Sequence, residues 1–142
     1  MDEGIIDRFN QVVGINDTTI HAGDFTLISN VEEVYKKYVK RLNGLHVFLI
    51  GSHDRWNKSK LSIFERNIEG YHVVVCHYAM RVWPRSHYNS WNLHGHSHGK
   101  LEPIGKQHDI GVDVNNFYPV SFEQLKLIMN SKTDNFNLVD RI

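Results

Sequence analysis

A chain of 142 residues is long enough for one domain around one buried core and short for two. Its 16 Lys and Arg balance its 16 Asp and Glu and 41% of its residues are hydrophobic, which excludes a disordered or strongly basic, phosphate-seeking protein. The single cysteine, Cys76, excludes an internal disulfide, and no apolar run nears the roughly 18 residues of a membrane span. A soluble protein of a reducing, cytoplasmic compartment is expected, because residues 1–8 are too acidic and too helical in pattern for a signal peptide. The excess that asks for an explanation is ten histidines.

Ile5, Ile6, Phe9, Val12 and Val13 recur at helical spacing over residues 2–13, and Gly14 stops the pattern. Residues 17–22 are β-branched and run into Gly23-Asp24, so they read as a strand that delivers an acid at its carboxyl end. A capped second helix follows, with Ser29 and Asn30 ahead of Glu32 and Glu33 and a stripe from Val31 to Leu42. Residues 46–50 form a buried-type strand ending in Gly51-Ser52-His53-Asp54, and a polar loop is expected after it. Residues 71–76 are the clearest strand and end at His77. Asn92-Leu93 leads into the turn His94-Gly95-His96-Ser97-His98-Gly99. A further strand is expected over 108–115, then a final helix capped by Ser121 and Gln124 and running to Met129. The expectation is a single α/β layered domain over residues 1–130 and a frayed polar tail over 131–142.

Several polar clusters fall just past strand ends, where open α/β sheets gather ligands. Asp24, His53, Asp54, His77, His96 and His98 all lie at such positions. A carboxylate with several imidazoles suits zinc, iron, manganese or nickel better than calcium, and donors so far apart in sequence must be assembled by the fold.

The order Gly23-Asp24, Gly51-Ser52-His53-Asp54, His77-Tyr78, Gly95-His96-Ser97-His98 resembles the calcineurin-like metallophosphoesterase family. The flanking text, Ile20 to Phe25 and Gly111 to Asn115 among it, is similar to the bacterial and phage-type branch, and the resemblance spans most of the chain. It implies a layered α/β sandwich and a metal-dependent phosphoesterase that hydrolyses a phosphomonoester or phosphodiester with metal-activated water. It also implies that Asp24 bridges two metals, that His77 and His96 bind the second and His98 the first. His53 would protonate the leaving oxygen, and Asp54 would orient its imidazole.

Two positions depart from the family. Its opening Asp-x-His element has no match before Asp24, so the chain is expected to be truncated at its N-terminus, and Ser52 stands where the family has an asparagine ligand. The remaining inventory favours one divalent transition ion at Asp24, His77 and His96, with Ser52 as a fourth group, over a tight dinuclear centre. The rival reading is a degenerate relative that keeps the fold and acts as a binding or assembly module. The substrate class stays open among phosphomonoesters, phosphodiesters, nucleotides and nucleic acid. Trp83, Arg85, Tyr88 and Trp91 are either a substrate platform or rim packing, and His94 is read as a histidine that supports the ligands or is structural.

Overall fold

Tyr71–Cys76 (β4) lies at the centre of the molecule in the computed structural model, which describes residues 3–140. Its Val73, Val74 and Val75 are all buried, as expected for a β-branched run covered on both faces. β4 pairs antiparallel with Ile63–Ile68 (β3) and parallel with Trp91–His94 (β5), and β5 pairs parallel with Gln107–Asp109 (β6). A separate two-stranded parallel sheet joins Thr18–His21 (β1) to Leu45–Phe48 (β2). With Glu3–Val12 (α1), Val31–Lys37 (α2) and Phe122–Asn130 (α3), the described residues form a mixed α/β fold of three helices and two small sheets. None of the helices is long and apolar enough to cross a membrane.

The helices are placed by their caps and apolar stripes. The Asn30 side chain accepts from the Glu33 N–H to open α2, and Ser121 and Gln124 form a reciprocal capping box at the start of α3. α2 is shorter than its stripe suggests, since the chain tightens into a 3₁₀ turn over Val39–Arg41. α1 buries Ile6 and Phe9 with Val13 and Leu42, whereas α3 buries Leu125 and Met129 in the main core with Leu49, Val73, Val75, Trp91 and Leu93. β1 stands between the two cores. Ile20 and Ala22 pack on the main core, and the intervening His21 points to the opposite face, against Phe9 of α1.

Three expectations from sequence are corrected. The polar loop after residue 54 contains β3, and it joins β4 through the two-residue turn Glu69-Gly70, both at positive φ, the geometry that matches strand twist in a tight hairpin. Its charged residues, Glu65 and Arg66, disguised it as loop. The strand expected over 108–115 ends at Asp109 and gives way to a 3₁₀ turn at Val112–Val114. The tail after Ser131 is not frayed through residue 140. Asn135 is buried, donates to the carbonyls of Ser86 and Ser90 and accepts from the Lys106 N–H, so satisfying three buried backbone groups docks the segment.

His21 sits in a ring cluster, stacked on Phe48 at 4.4 Å between centroids and edge-on to Phe25 at 5.2 Å. Its Nε2 lies 3.0 Å from His46 Nδ1, so one imidazole donates to the other. Burial first, and the neighbouring His46 second, lower the His21 pKa to about 3. The folded state therefore resists a proton that the unfolded chain accepts below its ordinary value near 6.5. Stability is complete above pH 6.5 and falls between there and about 3, by up to about 1.4 kcal/mol per pH unit for this one group. Urea unfolding at pH 7.0, 6.0 and 5.0 should show this slope, and His21→Phe should flatten it; the same slope in the variant would assign the effect elsewhere.

Candidate metal centre

The loops after β1, β2, β4 and β5 meet at one end of the two sheets, and glycine makes the meeting possible. A Cβ on Gly23 would stand 2.7 Å from both Gly51 Cα and His77 Nδ1, and one on Gly51 would stand 2.3 Å from the Asp24 backbone nitrogen. No side chain fits at either position, which is the physical content of the Gly-Asp and Gly-Ser-His-Asp motifs. Gly23 also takes a φ of 101°, open to glycine at no steric cost.

Within that approach the acceptor oxygens, imidazoles and hydroxyl converge. One ligand atom each from Asp24, His77 and His96 lies within 4.8 Å of the others. His77 Nε2 is 3.2 Å from Asp24 Oδ2 and 3.1 Å from His96 Nδ1, and Ser52 Oγ is 3.3 Å from both Asp24 Oδ2 and His77 Nε2. Ligands about 2.1 Å from a metal stand about 3.0–3.4 Å apart in octahedral or tetrahedral arrangements, so this spacing fits one ion. His77 is 2% exposed, and its Nδ1–H donates to the Ala22 carbonyl at 2.9 Å, which fixes the tautomer and leaves the Nε2 lone pair facing the cluster. Asp24 and His96 hold positive φ of 56° and 63°, a conformation costly for non-glycine residues and characteristic of functional turns.

The other expected site residues fall differently. His98 is in the same neighbourhood, also at positive φ, but its Nδ1 pairs with Asp113 Oδ2 at 2.7 Å and its side chain is largely exposed. His53 is exposed; its backbone N–H donates to Asp24 Oδ1 at 2.8 Å, while its ring has no hydrogen bond to another described residue. The expected Asp54–His53 pairing is therefore not made. Asp54 is buried and accepts four hydrogen bonds, from the backbone N–H groups of Asp24, Phe25 and Gly51 and from the Trp56 indole. It fixes two loops rather than an imidazole. His94 is buried and donates to the Gly95 carbonyl.

The aromatic platform loses its two tryptophans, while Arg85 and Tyr88 stay exposed. Trp83 and Trp91 are buried, the first donating to the Ser90 carbonyl and the second packed on Tyr71 and Phe122. Tyr78 is the aromatic residue that reaches the centre, with ring centroids 4.8 Å from those of both His77 and His96. Its position next to His77 in the chain was the available signal. Asp113 gave no local signal, because its partner His98 lies 15 residues away.

Replacing Asp54 with asparagine puts an amide N–H where backbone donors converge. Asp54→Asn should lower the unfolding free energy by about 2–3 kcal/mol in a denaturant titration, whereas His53→Ala, at an exposed position, should change it by less than about 0.5 kcal/mol. Equal effects would mean that Asp54 does not hold the loops.

No family model matches the chain. It is similar to the uncharacterized protein MJ1445 of Methanocaldococcus jannaschii, with 31% identity over 140 residues covering 93% of this chain and 77% of that protein. The crystal structure of the protein of unknown function AQ665 from Aquifex aeolicus superposes with a TM-score of 0.62 over 88% of this chain and 83% of that one. At 20% identity, that likeness shows the fold alone. The identity and coverage shared with the M. jannaschii protein place this chain in one family with MJ1445.

Proposed function

We propose that this chain is a metal-dependent phosphoesterase with a layered α/β sandwich of the calcineurin-like metallophosphoesterase type. The observation that supports the reading is the convergence of Asp24, His77 and His96 ligand atoms beside Ser52 Oγ at the end of two sheets. Such a set holds one divalent transition ion, manganese, iron, zinc or nickel, and a bound ion there would supply Lewis-acid polarisation of a phosphoryl oxygen and of water.

The chain's own residues divide the remaining work. Asp24 accepts the His53 N–H through Oδ1 and keeps Oδ2 on the cluster side, so one carboxylate both orders the loop and offers a donor. His77 is held rigid by Ala22, and Tyr78 packs against both imidazoles. His53 stands exposed with an unengaged ring, free to hydrogen-bond a phosphoryl oxygen or pass a proton to a leaving alkoxide. The substrate is a phosphomonoester or phosphodiester; a nucleotide or nucleic acid falls within that class.

A second reading has its own support. His98 is engaged by Asp113, and among the described residues three ionisable donors gather at the centre, an arrangement equally suited to a binding or assembly module that holds one ion without turnover.

Two measurements decide. In metal titrations, His77→Ala should weaken binding by at least the roughly 10–100-fold that loss of even an outer partner costs, with His98→Ala having a much smaller effect. Two tightly bound ions, or equal losses in the variants, would contradict the single-ion centre. With an aryl phosphodiester, His53→Ala should cut turnover by about 10²–10⁴-fold while leaving metal content unchanged. A metal-loaded chain with no turnover on monoesters or diesters would favour the binding module instead.

A further inference from the structure

The chain is neutral overall, but its charges are not evenly spread. Between residues 34 and 64 it carries seven Lys and Arg against one acid, Asp54. The Asp54 carboxylate is buried and taken up by four hydrogen bonds, so it does little to offset them. Two of the seven cations are met by acids, Lys37 by Glu33 and Arg41 by Glu3. Lys36, Lys40, Arg55, Lys58 and Lys60 are exposed and make no ion pair among the described residues. Cations of one sign left unpaired together raise the local concentration of a polyanion even where the net charge is zero.

These five residues come from the two segments that leave the metal centre. The loop after Asp24 runs into α2, which is followed by a 3₁₀ turn, and these carry Lys36 and Lys40; the loop that holds Ser52 and His53 continues through Arg55 to Lys60. The two segments touch. The Tyr35 ring meets the Trp56 indole edge-on at 6.3 Å between centroids, and Lys58 Nζ folds back to donate to the Arg55 carbonyl at 2.9 Å. Tyr35, Lys36 and Lys40 share a shallow hollow with Val31 and Glu32, its one acid. Tyr35 is 41% exposed among these cations, an aromatic face of the kind on which an unstacked base rests. His53, two residues before Arg55, is exposed as well, so the cationic surface adjoins the centre through that loop.

We propose that Lys36, Lys40, Arg55, Lys58, Lys60 and Tyr35 form a binding face for single-stranded nucleic acid, whose phosphodiester is the substrate class of the adjoining centre. Binding stands on the charge distribution and the exposed ring; the substrate assignment alone rests on the phosphoesterase reading. The cations hold phosphates without regard to sequence, and Tyr35 stacks a base that a duplex would keep inside its own stack. A lipid headgroup surface would use the charge and leave the ring idle.

The test is fluorescence anisotropy of a labelled oligothymidylate of about 12 nucleotides, titrated with the whole chain in buffer containing a chelator, so that binding is read without hydrolysis. The logarithm of affinity should fall with the logarithm of salt concentration by about 0.7 per phosphate contact. Lys36→Gln, Lys40→Gln and Arg55→Gln, at exposed positions, should each take about 0.7–1 off that slope, and Tyr35→Ala should weaken binding about tenfold. Melting temperatures check that each variant is folded. Lys126→Gln, where Glu69 and Glu123 already meet the charge, should change neither slope nor affinity. The binding face is overturned if the oligonucleotide does not bind, if Lys126→Gln weakens it as much as Lys36→Gln does, or if phosphatidylserine vesicles bind and the oligonucleotide does not. His77→Ala should bind the oligonucleotide unchanged, which keeps this result apart from the metal reading. With metal supplied, cleavage of the oligonucleotide should show a raised KM in Lys36→Gln; binding without cleavage would overturn the substrate assignment and leave the binding face standing.

Discussion

The carboxylate of Asp54 is the constraint on which the site depends. It collects the backbone N–H groups of Asp24, Phe25 and Gly51, so the turn after β1 and the turn after β2 are tied to a single buried anion. A carboxylate satisfied by several donors is a strong and rigid junction, and hydrogen bonds to a charged acceptor exceed neutral ones. The glycines at positions 23 and 51 are the complement of that junction, since any Cβ would force the loops apart. Asp24 then presents its own carboxylate to His77 and Ser52 as a consequence of where the loops are held.

Three of the nine non-glycine residues at positive φ among the described residues fall at or beside the site. Asp24, His96 and His98 all sit at positive φ, and none of them is the glycine that such a conformation prefers. The Asp24 N–H donates to Asp54 and the His77 Nδ1–H donates to the Ala22 carbonyl, which holds the Asp24 turn and the imidazole beside it in place. His98 instead pairs with Asp113 and stays solvent-exposed.

The packing is uneven across the fold. The four-stranded sheet has a dense core, with Val74 and Met129 fully buried, while the small parallel sheet beside it borders a cavity that also takes in Asp24, His77 and His96. β1 joins the two, since the turn after it positions Asp24 and its Thr18 to Ile20 line the cavity. Anything that stiffens β1 therefore acts on the loop that carries Asp24.

What the sequence alone determined was local. Capping pairs at Asn30 and Ser121, the β-branched run of β4 and the placement of Gly23-Asp24, Gly51 to Asp54, His77 and His96 past strand ends are short-range patterns, and each is found where the pattern put it. The metal reading of that constellation came from its residue types and the phosphoesterase reading from a resemblance, and both stand as proposals. Tertiary structure decided the rest, because the deciding partners are distant in the chain. Asp54 turned from His53 to donors 30 residues away, and His98 found Asp113. β3 is recognisable as a strand only once β4 lies beside it, and the tail beyond Ser131 gains order only because Asn135 finds buried backbone groups of Ser86, Ser90 and Lys106 to satisfy. Periodicity and capping encode what a residue does with its neighbours in sequence; which buried carboxylate meets which orphan N–H is settled only when the layers close.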